Sequence, residues 1–147
     1  MSGSKDSHRI LTFDWTNMEY TKHTSQLIGS RKRSACALLK GSDGVVLVAV
    51  ASGYSAGMEV WNPADDSVKM LTSDFPKYAS EFPQLISVNY HSELIFYESS
   101  ASDGNPQGIW QYSTLTGNWT KIGDMLFSRG SFSVIPVDGV SCPDVKP

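Results

Sequence analysis

The stretch Tyr112-Ser-Thr-Leu-Thr-Gly-Asn-Trp119 places two aromatic residues seven positions apart, with turn-forming residues between them. The same spacing, with an apolar or aromatic residue at each end, occurs twice more in the chain. The copies begin 48 and 51 residues apart (61 − 13 and 112 − 61) and consist of Phe13 with Tyr20, Trp61 with Val68, and Tyr112 with Trp119. A recurring unit of about fifty residues is the mark of a repeat fold. We therefore expect repeated strand hairpins joined at these turns.

Around the second and third copies the sequence predicts four short strands in the same order. For the first of these units the predicted strands are residues 34–39, 45–51, 58–61 and 67–71, separated by Gly, Asp, Asn and Pro turns. For the second unit they are residues 84–90, 94–98, 109–112 and 118–122. The apolar run at 45–51 suggests a strand that is buried on both faces. Four strands per fifty residues are typical of the blades of a β-propeller.

Two partial units flank the two whole ones. Residues 10–15 and 19–27 match only the third and fourth strands, and residues 131–137 match only the first. The predicted organisation is a disordered N-terminus at 1–7, a partial blade at 8–32, blades at 33–78 and 79–129, a first strand at 130–138 and a tail at 139–147. The sequence thus predicts an all-β propeller segment of two complete four-stranded blades and two partial ones.

At these positions the sequence resembles the Kelch repeat. That motif combines an aromatic residue followed by Asp or Asn, a Trp seven positions later, an apolar step and an Arg about ten residues beyond the Trp. The last copy matches it with Tyr112, Trp119, Ile122, Met125 and Arg129, and the first with Phe13-Asp14, Tyr20 and Arg31 or Arg33. The middle copy begins with Trp61-Asn62 but has Val68 in place of the Trp. We interpret Arg33 and Arg129 as structural residues at blade junctions, where guanidinium groups donate to loop carbonyls.

A repeat scaffold of this kind suggests a non-catalytic module that binds another protein through its loops. The two loops that follow the second strand of each whole unit differ most between the units. The candidate partner contacts in these loops are Tyr54, Asp103, Asn105 and Gln107. The alternative is that these loops only connect strands, in which case the contacts have no binding role.

A second alternative is an enzyme. Some Kelch-like propellers are copper-radical oxidases related to galactose oxidase, and others act on carbohydrates, with the remaining blades outside this chain. Such oxidases need Tyr, His and Cys ligands that converge on one metal. His8, His23 and His91 have no partners at ligand spacing, so we expect no metal, no cofactor and no catalytic residue. Asp65 and Asp66 fit a turn, where carboxylates accept from local backbone donors.

The composition indicates which classes of partner are disfavoured and which cellular compartment is favoured. Twelve Lys and Arg against fifteen Asp and Glu give a net charge of −3, which disfavours nucleic acid and anionic membranes. The two cysteines, Cys36 and Cys142, favour a reduced, cytoplasmic setting. A truncated N-terminus together with the Asn118 sequon would instead allow an extracellular one.

Closure of a propeller ring typically takes four to eight blades, and this chain supplies about three. A fragment of a longer protein is the first explanation. A homodimer that shares one six-bladed ring is the second. An open array of sheets with exposed edges is the third, and it is the least favoured because exposed strand edges invite aggregation.

Overall fold

A computed structural model of the chain describes residues 8–29, 34–41, 43–51, 57–72, 84–98, 108–126 and 133–134. These residues form ten strands and no helix, so the predicted all-β class is confirmed. The strands are β1 Arg9–Asp14, β2 Glu19–Gln26, β3 Ala35–Lys40, β4 Val46–Ala51, β5 Met58–Asn62, β6 Ser67–Thr72, β7 Gln84–Val88, β8 Glu93–Tyr97, β9 Gly108–Ser113 and β10 Asn118–Asp124.

The strands form three antiparallel sheets in chain order. β1 and β2 make a hairpin, which we call the N-terminal hairpin. β3-β4-β5-β6 make a four-stranded meander, sheet 1, and β7-β8-β9-β10 make a second one, sheet 2. Apart from the predicted strand at 131–137, each predicted strand corresponds to one observed strand, with ends that differ by at most two residues. Both whole units contain four strands in the predicted order. The partial unit at residues 8–32 contains the two predicted strands.

The spacing of seven residues arises because the same hairpin, with the same strand register, occurs three times. Each pair lies directly opposite across its two strands: Phe13 with Tyr20, Trp61 with Val68, and Tyr112 with Trp119. Ring centroids are 4.7 Å apart in the first pair and 5.3 Å apart in the last. Cross-strand aromatic pairs of this kind stabilise a hairpin by a few tenths to about 1 kcal/mol.

All three hairpins close through a four-residue turn of the same geometry. The residue before the turn accepts a hydrogen bond on its side-chain oxygen from the backbone N–H two positions on. The three bonds are Asp14 from Thr16 (2.8 Å), Asn62 from Ala64 (3.0 Å) and Ser113 from Leu115 (3.3 Å). Such local bonds begin a turn, which is why Asp, Asn and Ser occur here.

The last turn residue is left-handed in every copy. Met18, Asp66 and Gly117 have φ of 56°, 55° and 70°. Glycine adopts this conformation at no steric cost, and Asp tolerates it better than most residues. Met18 is the least favoured of the three, and its side chain is exposed. The turn therefore keeps its backbone while its sequence varies.

One core joins the two sheets. It contains the buried side chains Leu39, Leu47, Ala49, Ala51, Met58 and Val60 from sheet 1 and Leu85, Leu94, Phe96 and Tyr112 from sheet 2. β3 packs against β7 and β8, and the Lys40 N–H donates a 2.6 Å hydrogen bond to the carbonyl of His91. The sheet 1 part of this core includes the small residues Ala49 and Ala51, and the sheet 2 part includes the large side chains Phe96 and Tyr112.

The burial of β4 differs from the prediction. Leu47, Ala49 and Ala51 are buried, but Val46 is exposed and Val48 and Val50 are only half-buried. The strand is thus buried on one face, toward sheet 2, and its other face lacks a complete cover. An unbroken apolar run cannot distinguish these two cases, because both faces carry the same residue type.

Several predicted features lie outside the described residues, among them Arg31, Arg33 and Arg129 with their junction role. Of the predicted strand at 131–137 the structure describes Ser133 and Val134, neither of which is in a strand. Within the described ranges, no helix has the length and apolar character needed to cross a membrane.

Candidate interaction site

Both sheets send their longest internal connection from the same end. In sheet 1 residues 52–57 join the second strand to the third, and in sheet 2 residues 98–107 do so. Because the two meanders have the same strand order, these connections emerge at equivalent places. We call this end of the sheets the loop end, and the opposite end, which carries the turns within each hairpin, the turn end.

A buried glutamate holds the base of the longer loop. Glu98 directly follows β8 and is 8% exposed. One carboxylate oxygen accepts from the Gly108 N–H (2.6 Å), and the other accepts from the indole N–H of Trp110 (2.9 Å). The Glu98 N–H also donates to the carbonyl of Gly108 (3.1 Å). These three bonds fix the two ends of the loop and pair the buried charge with two donors.

Gly108 is required by this arrangement for its size. A Cβ at this position would clash with the indole nitrogen of Trp110 and would lie 3.0 Å from Oε2 of Glu98. The short distance of the bond from Gly108 N to Glu98 depends on the same lack of a side chain. The loop therefore starts from a rigid base.

The predicted partner contacts themselves lie outside the described residues. These are Tyr54 in the first connection and Asp103, Asn105 and Gln107 in the second. The strand ends that flank the first connection are Ala51 and Met58, which pair directly, and the second connection is flanked by the Glu98–Gly108 base.

A polar cleft of ≈ 290 Å³ lies at the turn end of sheet 1. Its lining includes Asp43, Asn62, Asp65 and Lys69. The Asp65 carboxylate accepts from the N–H (3.0 Å) and the hydroxyl (2.6 Å) of Ser67, and these bonds lower its pKa below the ordinary 3.8. The predicted role of Asp65 as a turn carboxylate is thus confirmed. An ionised carboxylate already bonded to its own turn is a poor general acid or base at neutral pH.

The neighbouring Asp66 acts across units. One carboxylate oxygen accepts from the N–H (3.1 Å) and hydroxyl (2.7 Å) of Thr24 and from the Ser25 N–H (3.1 Å), all in β2. The other oxygen accepts from the indole N–H of Trp61 (2.9 Å). The Ser25 hydroxyl donates to the Asp66 carbonyl. The bond from Thr24, followed by that from Trp61, holds the pKa of Asp66 well below its ordinary value.

His23 completes this contact between the N-terminal hairpin and sheet 1. Its ring packs edge-on against Trp61 with centroids 4.5 Å apart, and its Nδ1 lies 3.5 Å from Oδ1 of Asp66. Its Nε2 is 3.0 Å from the hydroxyl of Thr12. His23 therefore lies between two units and contacts both of them.

A second buried carboxylate anchors the segment after β2. Glu59 in β5 is 0% exposed, and its two oxygens accept from the N–H groups of Ile28 (2.6 Å) and Gly29 (2.9 Å). The hairpin is thus held to sheet 1 at the β5–β6 turn by Asp66 and within β5 by Glu59.

The sequence pattern did not predict the roles of Asp66, Glu59 and Glu98. The roles of Glu59 and Glu98 could have been predicted from the sequence. Glu59 lies within an apolar strand and Glu98 directly follows one, and a carboxylate buried at such a position needs hydrogen-bond donors. Asp66 carries no such signal, because a turn is an ordinary place for Asp.

The histidines do not come together. His8 donates from Nδ1 to the carbonyl of Leu27 (2.8 Å), and Nδ1 of His91 is 2.6 Å from the Ser87 hydroxyl. In the part of the chain that the structure describes, no three His, Cys, Asp or Glu side chains are grouped as metal ligands.

Comparison of the chain with protein-family models and with curated proteins finds no match.

Proposed function

We propose that this chain is a Kelch-like β-propeller segment that serves as a non-catalytic protein-interaction module and binds its partner through the loop end. The observation that carries the proposal is the threefold occurrence of one hairpin, with the same register, the same turn bond and the same left-handed turn residue. A unit repeated so closely is a scaffold, and variation between units is then concentrated in the loops.

The packing of the sheets supports a propeller-like arrangement. Consecutive units face each other, with β3 against β7 and β8, and β2 against β6. Each sheet is a four-stranded antiparallel meander, which is the form of a propeller blade.

The rigid base of the long loop supports binding at the loop end. The Glu98 bonds hold the start and end of a nine-residue polar segment, 99–107, in one position. A loop whose ends are fixed loses less entropy when a partner orders it. We therefore assign partner contacts to Tyr54, Asp103, Asn105 and Gln107.

Site-specific photo-crosslinking tests this function. A benzophenone amino acid is placed at Tyr54 or Asn105 in the loop end and, as a matched control, at Leu115 in the turn end, where the side chain is 92% exposed. We expect the chain with the crosslinker at Tyr54 and the chain with it at Asn105 each to form one discrete covalent adduct with the partner. The chain with the crosslinker at Leu115 should form none.

A combined alanine variant of the four contact residues should then weaken binding of the adduct partner at least about tenfold, or about 1.4 kcal/mol. Equal adducts from both ends would contradict binding at the loop end. Copper content and oxidase activity of the same preparation test the enzyme alternative, since a stoichiometric copper ion would favour it.

A further inference from the structure

The two faces of the N-terminal hairpin differ in burial and in chemistry. One face packs toward sheet 1, where His23 meets the ring of Trp61 and Ser25 bonds to Asp66. Because successive side chains of a strand alternate between its faces, the neighbouring residues belong to the other face. We call that side of β1 and β2 the outer hairpin face. The strand register places on it the cross-strand pairs Arg9 with Gln26, Leu11 with Lys22, and Phe13 with Tyr20.

The half of the outer hairpin face nearer the turn is aromatic and open to solvent. Trp15, directly after β1, is 80% exposed, and Tyr20 and Leu11 are 69% and 57% exposed. The ring centroid of Phe13 lies 4.9 Å from that of Trp15 and 4.7 Å from that of Tyr20, so the rings form one cluster. Exposed apolar residues are ordinary when they are scattered, but a contiguous group marks an interaction surface. Trp and Tyr are also the residue types that contribute most to binding at protein interfaces.

The half farther from the turn is cationic. A cleft of ≈ 290 Å³ opens there, and its lining consists of Arg9, Lys22, His23, Thr24 and Gln26. Within the described part of the chain, Arg9 and Lys22 take part in no ion pair. The acidic residues of the hairpin, Asp14 and Glu19, pair with each other and alternate with Phe13 and Tyr20 onto the opposite face.

The two cations make the cleft a site for an anionic group. Asp66 contacts the cleft residues Thr24 and His23, but its carboxylate is bonded to Thr24, Ser25 and Trp61 and to neither of the cations. A carboxylate from outside would therefore meet Arg9 and Lys22 without a competing ion pair. Exposed charge pairs of this kind contribute mainly to specificity and to the rate of association, whereas aromatic contacts contribute most of the affinity.

From this surface we infer that the outer hairpin face binds an acidic peptide segment of another protein. One or two Asp or Glu side chains of the segment lie in the cleft beside Arg9 and Lys22, and an apolar side chain lies against Trp15 and Tyr20. Side chains on one face of an extended segment are about 7 Å apart, as are consecutive residues on one face of β1. Acidic and apolar residues at alternate positions of the segment thus match the cationic and aromatic halves of the face.

The small number of cations favours a peptide over a polyanionic surface. Nucleic acids and anionic membranes draw much of their affinity for proteins from many positive charges. The outer hairpin face offers two, and the whole chain has a net charge of −3. A peptide needs only one or two charge pairs, because its apolar side chain supplies the remaining contact.

Selection from a phage library of random dodecapeptides on the immobilised full chain tests this inference. Phage that also bind the double variant Arg9→Glu, Lys22→Glu are removed in each round. We expect the remaining peptides to share Asp or Glu within a few positions of an aromatic or aliphatic residue. The strongest binder is then synthesised with a fluorescent label and titrated by anisotropy. A selection that returns no peptide, or peptides without an acidic residue, would overturn the inference.

Charge reversal at the cleft locates the acidic contact. The variant Arg9→Glu, Lys22→Glu should bind the labelled peptide at least about tenfold more weakly. The matched control is Lys40→Glu, Lys69→Glu, since both lysines are exposed in sheet 1. Either double change takes the net charge from −3 to −7 (−3 − 2 × 2), so the control measures the effect of total charge. Equal losses in the two variants would contradict a contact at the cleft.

A charge swap shows whether the reversed chain is folded. A peptide with lysine in place of its acidic residues should bind the Arg9→Glu, Lys22→Glu chain and should not bind the unmodified chain. Trp15→Ala provides a test that does not alter charge, and it should weaken binding of the original peptide at least about tenfold. Leu115→Ala is its control, at a side chain 92% exposed in another turn, and should bind normally. Unchanged binding by the Trp15→Ala chain would overturn the inference.

Parallel titrations examine the other classes of ligand. An oligothymidine and vesicles rich in phosphatidylserine are each added to the complex of the chain with the labelled peptide. We expect neither to displace the peptide. Displacement by either one, together with direct binding that the Arg9→Glu, Lys22→Glu variant loses, would assign the face to nucleic acid or to membranes instead.

This surface is separate from the loop end, and the two are tested separately. The combined alanine variant of the four loop-end contacts should bind the labelled peptide normally, and Trp15→Ala should leave the crosslinks from the loop end unchanged. Loss of the crosslinks alone would refute the proposed function. Peptide binding that is lost with the loop-end alanines would place the peptide at the loop end and overturn the present inference.

Discussion

Thr24 in β2 and Asp66 in the β5–β6 turn are 42 residues apart, yet a single carboxylate oxygen accepts both the N–H and the hydroxyl of the threonine, at 3.1 and 2.7 Å. The same aspartate has φ of 55° and occupies the left-handed turn position that is Gly117 in the third hairpin. One residue thus closes a turn and joins two units. In the third hairpin glycine performs only the first of these tasks.

Replacement of Asp66 should loosen the N-terminal hairpin. Asp66→Asn keeps a side chain that tolerates positive φ but removes the charge that strengthens the four donor contacts. We expect a lower unfolding midpoint and faster amide exchange at Thr24 and Ser25. Asp65→Asn is the matched control, since Asp65 bonds only within its own turn, to Ser67. Equal effects of the two variants would show that Asp66 acts only in the turn.

Stability should fall in acid partly through Asp66. Its pKa in the folded chain is below the ordinary 3.8, chiefly because of the bond from Thr24, so the ionised form is favoured by folding. The contribution is complete above pH 3.8 and is lost as the pH falls below it toward the folded pKa. Denaturant unfolding followed from about pH 5 to about pH 3 should therefore show a smaller decline for Asp66→Asn than for the unmodified chain. An identical decline would contradict the assignment.

The base of the long loop should not accept a methyl group. Gly108→Ala places a Cβ against the indole of Trp110 and 3.0 Å from Glu98, so we expect a loss of about 1–3 kcal/mol in the free energy of unfolding. Gly123→Ala in β10 is the control, because nothing lies within 4 Å of its added Cβ, and it should change stability by about 0.5 kcal/mol or less. Urea unfolding of both variants measures the difference. Similar losses at both glycines would argue for a backbone effect rather than a clash.

Removal of the Phe96 ring should destabilise both sheets together. Phe96 is 0% exposed and its ring meets Trp119 edge-to-face with centroids 6.2 Å apart. We expect Phe96→Ala to cost about 3–5 kcal/mol, because a cavity opens in the core that joins the sheets. Leu115→Ala, at a side chain 92% exposed, should cost about 0.5 kcal/mol or less. Amide exchange would rise in sheet 1 as well as in sheet 2 if the core is shared, and a change confined to sheet 2 would contradict that.

The three hairpins were predictable because their determinants are local. A side chain such as Asn62 bonds to the backbone two residues away, and Trp61 and Val68 meet across a single turn. Interactions that span seven residues leave a spacing in the sequence, and that spacing is regular here. Strand order followed from the same pattern.

The burial of β4 and the roles of Asp66, Glu59 and Glu98 were not predictable in this way. Val46 and Leu47 are both apolar, but one is exposed and the other buried, because only one face of the strand meets sheet 2. Whether a neighbouring sheet covers a face is a property of packing between distant segments.

By itself, then, the sequence determined the repeat, the class of fold and the turns, since the physics of each hairpin acts within about ten residues. Only the tertiary structure decided which carboxylate joins two units, which glutamate holds the loop base and which face of sheet 1 stays open. Those outcomes depend on residues that lie far apart in the chain and meet only when the sheets pack. The adjacent residues Asp65 and Asp66 illustrate this difference. The carboxylate of Asp65 bonds locally, to Ser67, whereas the carboxylate of Asp66 bonds to Thr24 in another unit.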